Sequence, residues 1–171
     1  MKKLITGLAF ASLSLPLMAD EVTLPASTQL SITSVKQLRL AEGESDSNAW
    51  FAVDPTLIPG HASKQLSNCV LTARVSLERG ELLFSSRNLR CPSYTGDVYT
   101  AEEISVQLET PTSQVCTLPG SRCKEVTLDT SSEYRVRVNQ PATMKAAFNP
   151  SREVNRLRIE EQQRNSDHSD N

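Results

Sequence analysis

Histidine is scarce in this chain: 171 residues contain two, His61 in a Pro-Gly loop and His168 near the end. A metal site built on them would need partners distant in sequence, so both read as solvated and no metal is expected. No C-x-x-C pair occurs, which removes zinc ribbons and thioredoxin-like redox sites. There is no G-x-S-x-G elbow and no phosphate-binding glycine loop. Glu102-Glu103 and Glu160-Glu161 are adjacent carboxylates, and neighbours on a strand point to opposite faces, so they read as solvated charge. With no nucleophile-and-base set in view, a non-enzyme without cofactor is expected. An excess of positive charge is also lacking: 18 Lys and Arg face 20 Asp and Glu. That speaks against nucleic acid or an anionic membrane surface as the main partner.

Apolar runs are short everywhere except at the start. Lys2 and Lys3 precede the stretch from Leu4 to Leu17, and Ala19 offers a small residue before Asp20. This pattern predicts a cleavable secretory signal over residues 1–19. The run is shorter than the roughly 20 residues that span a bilayer, and acidic residues follow it at once. The mature chain is expected in the periplasm or outside the cell, with no membrane span. It is long enough for one domain and a tail: an antiparallel β domain over 20–148, then a polar helix and disordered segment over 149–171.

Short alternating runs rich in Thr, Val, Ser and Leu, broken by Pro, Gly, Asn and Asp, predict an all-β fold, a small antiparallel barrel or sandwich. Strands are expected at Val22 to Leu24, Gln29 to Leu40 with a bulge near Val35, Ala49 to Val53, Ile104 to Leu108, Glu125 to Leu128 and Tyr134 to Val138. Ala41 to Asn48 reads as a polar loop. The clearest hairpin runs from Cys69 to Cys91. Its alternation predicts a three-residue Arg79-Gly80-Glu81 loop, with Leu77 opposite Leu83, Val75 opposite Ser85 and Cys69 opposite Cys91. A bulge in the return strand would alter that register.

Four cysteines behind an export signal are expected to be structural. Cys116 and Cys123 stand symmetrically about Pro119-Gly120, a turn pair in which proline presets φ and glycine accepts a positive one. Local pairing, 69–91 with 116–123, is the economical arrangement. The pairings 69–116 with 91–123 and 69–123 with 91–116 remain open.

Candidate partner contacts follow from the same pattern. Trp50 and Phe51 are adjacent, so only one faces a core. Arg79 and Leu118 stand at the two hairpin tips. Arg87, Arg90, Arg135 and Arg137 lie in strand-like runs, as a solvated face or an edge toward an acidic partner. After Asn149, a helix cap with Pro150 at the first helical position, Val154 and Leu157 form a thin apolar stripe with Ile159.

Four short motifs carry a resemblance: Pro25-Ala26-Ser27-Thr28-Gln29, Leu57-Ile58-Pro59-Gly60, Leu66-Ser67-Asn68-Cys69-Val70-Leu71, and Ser85-Ser86-Arg87-Asn88-Leu89-Arg90-Cys91. Leu24 to Leu108 resembles the C-terminal β-barrel domain of TraB/TrbI-type scaffold proteins of conjugative type IV secretion systems. The glycine-rich segment after that family's first barrel strand is replaced by Leu40-Ala41-Glu42-Gly43-Glu44, and no antenna-like helical insertion is visible. The resemblance implies a stand-alone barrel of the cell envelope whose partners are other envelope or secretion-system proteins. The alternative expectation is a stand-alone periplasmic protein-binding module or inhibitor.

Overall fold

A computed structural model describes residues 21–60, 64, 66–94, 96–118, 122–147, 149–151, 154 and 157–161. The expected signal segment, both histidines, Pro119-Gly120 and residues 162–171 lie outside the described residues. The chain runs β1 (Glu21–Leu24), β2 (Gln29–Ser34), β3 (Leu38–Ala41), β4 (Ser45–Val53), β5 (Cys69–Glu78), β6 (Glu81–Pro92), β7 (Val98–Ala101), β8 (Val106–Leu108), the helical turn α1 (Thr112–Val115), β9 (Glu125–Leu128), β10 (Glu133–Val138) and β11 (Ala142–Ala147).

A nine-stranded antiparallel sheet has the order β1-β11-β7-β6-β5-β4-β2-β10-β8. It curls into a half-barrel. Its last strand turns back toward its middle, where the Ser86 hydroxyl of β6 accepts the Val106 amide of β8 at 3.0 Å. The same hydroxyl donates to the Ile104 carbonyl. One side chain thus substitutes for a backbone ladder across the seam. A two-stranded ribbon, β3 with β9, covers one end of the barrel. Two backbone hydrogen bonds join it there, Gly43 to the Leu77 carbonyl at 2.8 Å and Leu77 to the Glu44 carbonyl at 3.1 Å.

Alternation explains the interior. Tyr134, Val136 and Val138 of β10 are buried while Glu133, Arg135 and Arg137 between them are exposed, so one face is dry and the other wet. Leu38, Leu40, Val126 and Leu128 of the ribbon join the same apolar cluster as Leu30, Phe51, Leu71, Leu89 and Tyr99. Tyr134 keeps its hydroxyl satisfied on burial: it accepts the Asp129 amide at 2.6 Å. Burial is also the main reason its pKa is raised.

Several sequence expectations need correction. Gln29 to Leu40 is two strands, because the chain turns a corner at residues 35–37 and β3 leaves for the ribbon. The expected loop over Ala41 to Asn48 is a tight turn at Glu42-Gly43 followed by β4, and Gly43 takes the positive φ of 86° that this turn needs. A register shift between Asp46 and Ala49 hides the strand in the sequence, since a bulge breaks the alternation. Ile104 to Leu108 is a strand only from Val106. β7, though built of Val98, Tyr99 and Thr100, is only four residues long, and alanine-rich β11 has little β signal of its own. Ladders on both sides supply what propensity does not: β11 pairs with β1 and with β7.

The hairpin loop is also corrected. It has two residues, Arg79 and Gly80, with φ of 54° and 80°, the backbone of a type I′ turn. Glu78 therefore faces Glu81, Leu77 faces Leu82 and Val75 faces Phe84. A bulge then leaves Arg87 without a cross-strand mate, and beyond it Leu71 faces Leu89. This one-residue shift returns Cys69 to its place opposite Cys91. Their Cα atoms are 4.1 Å apart, the close spacing of a non-hydrogen-bonded antiparallel pair.

Candidate functional site

Both cysteine pairs are local disulfides, Cys69–Cys91 and Cys116–Cys123. Two disulfides fit an oxidising compartment outside the cytoplasm. No helix among the described residues is long and apolar enough to cross a membrane. Among the described residues no group of three or more His, Cys, Asp or Glu could hold a metal ion.

The chemistry on offer is that of surfaces, and the expected contact residues fall on three of them. The first is the ribbon end of the barrel. Gly80, at the tip of the β5–β6 hairpin, lies against the stapled 116–123 loop: a Cβ built there would meet the Arg122 Cβ at 3.0 Å and the Cys123 amide nitrogen at 3.1 Å. The β5–β6 tip and the Arg122-Cys123 end of the second stapled loop, which the sequence treats as separate, thus form one pole. Arg79 is exposed there, and Leu118 is 58% exposed.

The second surface is the outer face of β4, β5 and β6. Phe51 is not a contact residue. It is 1% exposed, and its ring centroid lies 5.2 Å from that of Phe84 inside the barrel. Strand alternation turns its neighbour the other way, and Trp50 is 57% exposed. Trp50 faces Thr72 on β5, which faces Asn88 on β6. Arg74, Arg87 and Arg90 share this exposed side. Arg87, at the bulge, donates to the Asn48 side-chain carbonyl at 3.4 Å. Asp46, beside the β4 bulge, accepts the Asn48 amide at 2.8 Å and pairs with Lys36 at 3.2 Å. The backbone amide is the main reason its carboxyl titrates below the usual range.

The third surface is the tail. Asn149 caps a helical turn as expected, accepting the Ser151 amide at 3.1 Å. Its side-chain amide donates to the Gly96 carbonyl at 2.7 Å and ties the root of the tail to the β6–β7 connection. Residues 154 and 157–161 have helical backbone, and Val154, Leu157 and Ile159 are all exposed.

Sequence reasoning missed Tyr94, which is 79% exposed between apolar neighbours that include Pro55, Ile58 and Leu66. The proline-flanked loop Pro92-Ser93-Tyr94 was its only signal. It also missed Arg74, which belongs with Trp50 only once the strand register is known. Arg135 and Arg137 lie elsewhere, on β10, where Arg137 pairs with Glu109. An open groove of about 750 Å³ follows the barrel seam between Ser86, Arg87, Glu102 and Asn139. Scans of this chain against protein-family models, curated proteins and solved structures return no match.

Proposed function

We propose that this protein is a non-catalytic component of the bacterial cell envelope that acts in the periplasm, as an assembly or accessory part of a conjugative type IV secretion apparatus. The observation that carries the reading is the tail. Residues 154 and 157–161 have helical backbone with Val154 and Leu157 exposed, and Asn149 just before them is tied to the stapled barrel. An apolar stripe without a covering surface is what a docking helix presents to a larger assembly. The motifs around Cys69 and Cys91, which resemble the barrel of TraB/TrbI-type scaffolds, support the choice of apparatus. The same staple holds the long hairpin of the barrel.

Site-specific photo-cross-linking from positions 154 and 157 in intact cells tests this reading. Adducts with other envelope secretion components, together with loss of conjugative transfer in a deletion strain, are expected. Unchanged transfer and an uncross-linked monomer would sink it.

A second reading, a stand-alone protein-binding module or inhibitor, is favoured by the pole where the β5–β6 tip meets the second stapled loop. Rigid loops lose little entropy on binding, and here one disulfide holds the loop that supports the β5–β6 tip. Substituting Arg79 and Leu118 together separates the readings. Loss of the cellular phenotype with the tail contacts intact favours the second.

A further inference from the structure

We infer that the outer face of β4, β5 and β6 around Trp50 is a docking surface for an acidic segment of a partner protein. Trp50 is the single tryptophan of the chain, and it stands mid-strand on a sheet rather than in a loop. Thr72 and Asn88 continue its row across β5 and β6. Arg74 is one residue pair along β5 from Thr72 on the same face, a diagonal step of roughly 7–8 Å from Trp50. Arg90 flanks the row on the other side, opposite Val70. Arg87 completes the set at the bulge, where the extra residue aims its side chain away from the barrel.

Charge decides the occupant. The chain carries a net charge of −2, yet this face gathers three arginines. Among the described residues none of the three forms an ion pair, although Lys36, Arg39, Arg137 and Lys145 all do. The rows through Trp50, Arg74 and Arg90 on these strands contain no carboxylate. Guanidinium groups on rigid strands present forked donors to carboxylates, and tryptophan and arginine are the side chains that dominate protein interfaces. Thr72 and Asn88 between them offer hydrogen bonds to a peptide backbone. The face is fixed by two long paired strands and the Cys69–Cys91 disulfide, so little order is lost on docking. The inference does not depend on the secretion-system reading, because it uses none of the tail or pole residues.

The single tryptophan makes the surface directly observable. The disulfide-bonded protein is panned against a phage-displayed random peptide library, and selected peptides are titrated while Trp50 emission is followed. Peptides rich in Asp and Glu are expected, and they should shift the emission to the blue in a saturable, salt-sensitive way. The double variant Arg74→Glu/Arg90→Glu should bind them at least about tenfold more weakly with an unchanged melting temperature. Trp50→Ala, read by calorimetry, should lose a similar factor. Selection of neutral or basic peptides overturns the inference. So does an acidic peptide that leaves Trp50 emission unmoved or ignores the charge reversal, or an equal shift from a neutral oligosaccharide or a single-stranded oligonucleotide.

Discussion

The hydroxyl of Ser86 accepts the amide hydrogen of Val106 at 3.0 Å, across a seam where two strands of one sheet meet without pairing. By also donating to the Ile104 carbonyl it satisfies a donor and an acceptor together. Ser86→Ala is therefore expected to leave both backbone groups without a partner at a half-buried site and to lower stability by about 1–3 kcal/mol. Urea denaturation measures this. Ser85→Ala, one residue away on the exposed face, should stay within about 0.5 kcal/mol. Equal effects from the two would show that the hydroxyl clamp contributes nothing.

Gly80 and Gly43 both hold positive φ, 80° and 86°. Only Gly80 is crowded, by Arg122 and Cys123. Gly43→Ala carries the backbone penalty alone, about 1–2 kcal/mol. Gly80→Ala carries that penalty and also displaces the 116–123 loop, so its melting temperature should fall further. A smaller loss at Gly80 would contradict the contact between the β5–β6 tip and that loop.

The two disulfides differ in the loops they close, with sequence separations of 22 and 7. On a chain-entropy account, replacing Cys69 and Cys91 by alanine costs about 3 kcal/mol, and replacing Cys116 and Cys123 by serine costs less. Thermal melts of the two double variants rank them. Identical melts for wild type and the first variant would remove the staple from the account of stability.

Asp46 titrates below its ordinary range because it accepts the Asn48 amide, with help from Lys36. A folded-state pKa below the unfolded one stabilises the fold above the unfolded value, near 4, and that stabilisation is lost as pH falls through the folded value. Asp46→Asn should therefore flatten the acid limb of the stability profile below about pH 4 while changing it little with pH near neutrality. A parallel loss at every pH would mean that the carboxylate charge plays no part.

Tyr134→Phe removes the hydroxyl that holds the Asp129 amide. A loss of about 1–2 kcal/mol is expected in chemical denaturation. No loss would imply that solvent satisfies Asp129 in the variant.

How far the sequence speaks for this fold can be judged at particular residues. Leu71, Val75 and Leu77 announce their strand because period-two alternation survives along β5. In β4 the same rule fails at Ser47 and Asn48, where the bulge inserts a residue, and the strand reads as a loop. β11 was invisible because Ala142–Ala147 is held by its neighbours rather than by its own preferences. Trp50 and Phe51 posed a choice of one inward ring that strand geometry settled. The meeting of Gly80 with Arg122 was beyond sequence reasoning, since it depends on how a separate ribbon lies over the barrel end.

The unmated Arg87 acts like a frameshift in space. Before it, even-numbered residues of β6 such as Leu82 and Phe84 turn inward; after it, odd-numbered ones such as Leu89 and Cys91 do. Deleting that one residue would turn the distal half of the strand inside out and carry Cys91 to the surface, away from Cys69. The disulfide thus works as a checksum during oxidative folding. It closes in its native place only when the residues in the turn and in the bulge together give the right offset between the strands.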